Sequence, residues 1–158
     1  MRAVEHGRKR VAVVMQRRAL ANRWQSEVWE PVGVFTGYEG EAEPRIIVSE
    51  ESATQWLYPG FDIALHRAEA EGYYHNVSAP EPRVFVLWRM QDDCAVPKFV
   101  TVSYDEASRW MDGGENVDSV PMPSELLAWV GEYVEQNYRP EPRKRIKPQS
   151  FLSPKDRG

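Results

Sequence analysis

Apolar and polar residues alternate with a period of two along most of the chain, and a helical period appears only near its end. In Val11 to Met15, followed by Gln16, one side of an extended chain is fully apolar and the other nearly so, which predicts an interior strand. Arg17 to Phe35 then reads as a loop entering a long strand. Trp24 and Trp29 frame the polar run Gln25-Ser26-Glu27, and Val28, Val32 and Val34 show the two-residue spacing of a half-buried strand. Pro31 cannot donate to a ladder, so an edge or a bulge is expected there. Thr36 to Pro44, glycine-bearing and acidic, reads as a loop. Short strands are expected at Arg45 to Ser49 and at Gln55 to Tyr58, the second ending in a Pro59-Gly60 turn. Phe61 to His66 and Tyr73 to Ser78 are expected to pair as a hairpin closed by Arg67 to Gly72. Arg83 to Met90, apolar on both faces, is the strongest strand and is expected at the centre of a sheet. A turn beginning at Asp92-Asp93 and ending at Pro97 leads to a strand at Lys98 to Val102.

Ser103-Tyr104-Asp105-Glu106 fits the reciprocal capping pattern of a helix start, and Gly113-Gly114 supplies the stop. After Val117 to Val120, Pro123 and Glu125 mark the first turn of a second helix. Leu126, Leu127, Trp129, Val130, Tyr133, Val134 and Tyr138 cover about half of its circumference. The fold class predicted is α+β: a mainly antiparallel sheet or partly open barrel of about seven strands, with one short helix and a C-terminal amphipathic helix as its lid.

Composition narrows the organisation. The 158 residues suit a single globular domain at 11–138, between a basic N-terminal arm at 1–10 and a basic, proline-rich tail at 139–158. Formal charge is +3 in the arm, +5 in the tail and −12 in the body between them. An acidic body with basic ends argues against a nucleic-acid binder, which needs its cations as a patch on the folded surface. One cysteine, Cys94, excludes an internal disulfide and fits a reducing compartment. Apolar runs reach five residues, far short of a membrane span, and no signal peptide is visible. A cytoplasmic protein without membrane or nucleic-acid partners is therefore the expectation.

The richest candidate surface is the cationic and aromatic stretch containing Arg17, Arg18, Arg23, Trp24 and Trp29. Guanidinium planes can stack on indoles or grip a carboxylate or phosphate with two parallel bonds, so these residues are expected to bind a partner or an anionic ligand. The plainer reading of the same residues is a strand with an aromatic anchor and solvated arginines. In the tail, Phe151 and Leu152 are expected to anchor a linear docking segment steered by Arg143, Lys144 and Arg145. His66 and His75, at the two ends of the expected hairpin, could join Asp62 on a metal, but nothing completes a ligand set, so no metal is expected. Cys94 follows two aspartates that would raise a thiol pKa, and no serine lies in a nucleophile elbow. No catalytic residue and no cofactor is assigned.

The stretches VAVVMQRRALANRWQSEVWEPVGV, LYPGFDIALHRAEAEGYYHNVSAPEPRVFVLWRM, FVTVSYDEASRWMDGGENVDSVPMP and KPQSFLSPKDRG resemble an uncharacterised proteobacterial family classed as a domain of unknown function. The resemblance implies a place beside molybdenum-dependent formate dehydrogenases and their assembly factors. Some members carry the label molybdopterin-guanine dinucleotide biosynthesis protein, which implies transfer of GMP onto molybdopterin. Transferases of that kind share a glycine-rich N-terminal loop ending in Arg-Met-Gly on a parallel sheet, and this sequence has no counterpart to it. The function expected is thus a non-catalytic accessory protein of formate dehydrogenase or molybdenum cofactor maturation that binds a larger protein, such as a dehydrogenase subunit or assembly factor. The alternative is a small molybdopterin- or nucleotide-handling enzyme, with Arg17, Arg18 and Arg23 on a phosphate and Asp92 and Asp93 on a metal.

Overall fold

A computed structural model describes residues 7–139. The tail candidates Arg143, Lys144, Arg145, Phe151 and Leu152 lie outside the described residues. The elements are β1 (Arg8–Ala19), β2 (Glu27–Thr36), β3 (Arg45–Ser49), β4 (Ala53–Ala64), a 3-10 turn (Arg67–Glu69), α1 (Ala70–Val77), β5 (Arg83–Gln91), β6 (Cys94–Thr101), α2 (Tyr104–Asp112), β7 (Asn116–Pro121) and α3 (Ser124–Asn137). The seven strands of the described residues form two antiparallel sheets, ordered β2-β1-β4-β3 and β6-β5-β7. β2 lies against β7 and β4 against β6, but among the described residues no ladder joins the sheets, so the barrel stays open.

One core fills the space between the sheets. Val11, Val13 and Met15 of β1 meet Val34 of β2, Val84 and Val86 of β5 and the buried stripe Leu126, Trp129, Val130, Tyr133 and Val134 of α3. Burying a side chain of this size is worth about 1.5–3 kcal/mol, and this cluster is where most of the driving force resides. β5 is the central strand of its sheet and is buried on both faces, because Phe85 and Leu87 on its outer side are covered by α2. The C-terminal helix does act as a lid. Glu125 in its first turn accepts from Thr36 at 2.8 Å and pairs with Lys9 at 3.5 Å, tying α3 to the end of β2 and the start of β1.

Polar bonds hold the remaining helices at that same pole. Asn76 of α1, 1% exposed, donates to the carbonyls of Arg83 and Val102, each at 2.8 Å, and accepts from Arg83 N at 2.9 Å. Ser103 caps α2 by accepting from Glu106 N at 3.0 Å. The Glu106 carboxylate takes its proton donor from Thr101 instead of from the Ser103 amide, and Thr101 Oγ1 accepts from that amide at 3.1 Å. Gly72 lets α1 press against this cap, since a Cβ there would overlap Ser103 Oγ. The opposite pole is formed by the end of β1, the starts of β2 and β4, and the β5–β6 turn.

Four expectations change. β1 continues to Ala19, so Arg17 and Arg18 belong to a strand and the connecting loop is only 20–26. Pro59-Gly60 is a bulge and no turn: Val11 and Val13 of β1 face Phe61 and Tyr58, and Gly60 takes φ +93° to absorb the extra residue while β4 runs on. The expected hairpin of Phe61–His66 with Tyr73–Ser78 does not form. Phe61 to Ala64 pair with β1, and Ala70 to Val77 are helical, with Ala70, Tyr73 and Asn76 buried at the three-residue spacing of one helix face. Pro97, expected to end a turn, sits inside β6 beside a register shift. The bulge expected at Pro31 is present, with Val32 the extra residue between the partners of Val14 and Met15.

Candidate functional site

At the pole away from the helices, β1 lies between β2 and β4. Arg17 faces Trp29 on one side and Thr54 on the other, and Met15 faces Pro31 and Trp56. Residues opposed across antiparallel strands share a face, so Arg17, Trp29, Thr54 and Trp56 all stand on the core side of the sheet at its open end. Trp29 and Trp56 stack there with ring centroids 5.3 Å apart and planes 29° from parallel. Glu27 organises the cluster. Its carboxylate accepts from Trp29 Nε1 at 3.1 Å and lies 3.5 Å from Arg17, whose Nη2 reaches Thr54 Oγ1 at 3.4 Å. Ile46 of β3, opposite Trp56 and 54% exposed, extends the apolar strip towards the sheet edge.

The alternation of the strand sends Arg18 to the other face. There it grips Glu30 with two bonds, Nε to Oε2 at 3.0 Å and Nη2 to Oε1 at 3.5 Å, and the bonded carboxylate raises the guanidinium pKa above its ordinary value. Arg23 and Trp24 occupy the tip of the 20–26 loop, closed at its base by a Leu20 N to Ser26 O bond of 2.9 Å. Asn22 Oδ1 accepts from the amides of Trp24 and Gln25 at 2.8 and 3.1 Å, an Asx turn that sets the tip's shape. The Arg23 guanidinium lies over the Trp24 ring at 5.5 Å, and Trp24 is 85% exposed. Arg23 has no carboxylate partner among the described residues.

The structure therefore splits the five residues that the sequence groups. Arg17 and Trp29 belong to a half-buried platform, Arg23 and Trp24 to a projecting tip, and Arg18 to the back of the sheet, where its two-pronged grip is spent on the chain's own Glu30. Sequence reasoning missed Trp56 and Ile46. The signal for Trp56 was its place in a strand one register step from an arginine-bearing strand, which pairing alone reveals.

The other candidate residues lie apart from this surface or from one another. His75 lies on α1 with Nδ1 2.8 Å from Asp105 and Nε2 3.6 Å from Glu71, and His66 stands at the 3-10 turn, so the two do not face each other across a hairpin. Asp92 and Asp93, with φ of 55° and 65°, are the two central residues of the β5–β6 hairpin turn. A hollow of about 400 Å³ opens in the seam between β4 and β6, beside Asp62, His66, Glu69, Thr101 and Glu106. Its carboxylates are already engaged: Asp62 by Arg10 at 3.1 Å, Glu69 by Arg109 and Ser103, Glu106 by Thr101. No described helix is long and apolar enough to cross a membrane.

These features define a small α+β protein with an open two-sheet barrel, helices at one pole and an aromatic, cationic surface at the other. The chain belongs to the DUF3305 family of proteins of unknown function, whose model matches residues 10–147. Neither the curated proteins nor the solved structures include one that matches it.

Proposed function

We propose that this protein is a non-catalytic accessory factor that binds a larger protein during the maturation of molybdenum-dependent formate dehydrogenase or its cofactor. The partner meets the pole that carries Arg23, Trp24, Arg17 and Trp29, and the basic tail with Arg143, Lys144, Arg145, Phe151 and Leu152 adds a second contact. The observation that carries this reading is the Trp24 tip. An indole buries about 150–250 Å² when it enters a partner, and exposed Trp and Arg are the residue types that dominate interface energetics. Here such a pair is offered to solvent at 85% exposure of the indole, with its cation free of any internal carboxylate among the described residues.

The platform behind the tip supports the same reading. Trp29 and Trp56 are held by ring stacking and by Glu27, so they give a partner a rigid apolar floor at little cost in side-chain entropy. Arg18 is not part of this surface.

The test is capture from extract of the native cell by the immobilised full chain, repeated with residues 139–158 deleted. Retention of a formate dehydrogenase subunit or assembly factor by the full chain, weakened by the deletion, supports the proposal. Retention of neither contradicts it. Quenching of tryptophan fluorescence by GTP or molybdopterin, with turnover by the pure protein, would instead favour the small-ligand enzyme.

A further inference from the structure

β3 hydrogen-bonds to β4 alone, so its outer edge presents backbone groups with no ladder partner among the described residues. The side chains along it are Arg45, Ile46, Ile47, Val48 and Ser49, with Ile46 and Ile47 54% and 41% exposed. An apolar, β-branched edge of this kind is a template for another strand. The charges at its two ends say which strand. Arg45 precedes the apolar run and Glu50 follows it, and neither has an ionic partner among the described residues.

The bulge fixes the alignment. Ile46 and Val48 face Trp56 and Gln55, which are consecutive in β4, so Ile47 is the extra residue. Glu50 and Ala53 exchange backbone bonds of 2.8 and 3.3 Å, one step beyond the Ser49–Thr54 pair. Arg45, Val48 and Glu50 consequently share one face of the sheet, and Ile46 and Ser49 the other. An antiparallel copy of the same strand, placed with Val48 opposite its own counterpart, sets Arg45 opposite Glu50 twice and Ile46 opposite Ser49 twice. Every opposed pair then lies on a common face, as a ladder requires. Parallel pairing in register would set Arg45 against Arg45.

We propose that β3 is a self-association edge, through which two copies of this chain pair antiparallel about a two-fold axis at Val48. The two four-stranded sheets become one continuous sheet, closed at both ends of the junction by Arg45–Glu50 pairs. The junction is one short strand from each copy, so the dimer is weak, with a dissociation constant on the order of 0.1 mM.

Sedimentation velocity of the full chain between about 10 µM and 0.5 mM tests this, a range that brackets the expected constant. The sedimentation coefficient should rise towards that of a dimer. Arg45→Glu sets Glu against Glu, Glu50→Arg sets Arg against Arg, and each should weaken association about tenfold. The double variant R45E/E50R restores opposite charges and should recover the parent's behaviour to within about threefold. Thermal melts of all three, at exposed positions, should match the parent and show that the variants are folded. A coefficient constant over the range overturns the proposal, including the case in which β3 pairs only with a strand from another protein. Association that survives both single swaps, or that the double variant fails to recover, overturns it as well.

Discussion

The residue that best shows how side-chain chemistry secures this fold is Asn76. Its amide meets three backbone groups from two different segments, and all of them are left without partners if it is shortened. Each stranded buried group costs about 1–3 kcal/mol, so Asn76→Ala should lower the unfolding free energy by about 3 kcal/mol or more, read from urea denaturation. Tyr73, 2% exposed, makes a prediction in pH. Burial is the main cause that pushes its hydroxyl up to about 12 from the ordinary 10, so the folded state favours the neutral phenol. That contribution is intact below pH 10 and is lost as pH rises towards 12, a loss on the order of 2 kcal/mol by linkage. Tyr73→Phe should flatten the stability profile in that window, and an unchanged alkaline slope would contradict the assignment.

Much at the scale of elements was legible from pattern. β5, α2 and α3 carry unambiguous signals: an apolar run on both faces, a serine cap before a glycine stop, and a stripe of helical period. The bulge at Pro31 followed from a missing donor. The failures share one cause, which is that local chemistry was read without the neighbour that overrides it. Tyr73-Tyr74-His75 has strand-like residues, but Ala70, Tyr73 and Asn76 find partners on α3, β5 and α2 only as a helix. Pro59-Gly60 has turn chemistry, but pairing with β1 on either side carries the strand through it. The candidate site was half legible, since composition marks an aromatic and cationic stretch, whereas strand alternation decides that Arg17 and Arg18 point to opposite faces. The Asp92-Asp93 turn shows the residual cost of such choices. Both residues adopt a left-handed conformation that glycine tolerates better, so Asp93→Gly should stabilise the hairpin by up to about 1 kcal/mol in the same denaturation assay.

Across the whole molecule, the two poles divide the work. Ion pairs and capping bonds at the helical pole are spent within the fold, and the opposite pole keeps an indole and a guanidinium available. That division is the central claim, and it separates binding from stability. Trp24→Ala removes a ring that supports no core, so its melting temperature should stay within about 2 °C of the parent. Once the captured partner is purified, titration calorimetry of parent and Trp24→Ala against it is the most direct measurement. Loss of an exposed aromatic anchor costs about 2–4 kcal/mol at an interface, so affinity should fall at least about thirtyfold. An affinity within about twofold of the parent would show that the partner does not use this pole.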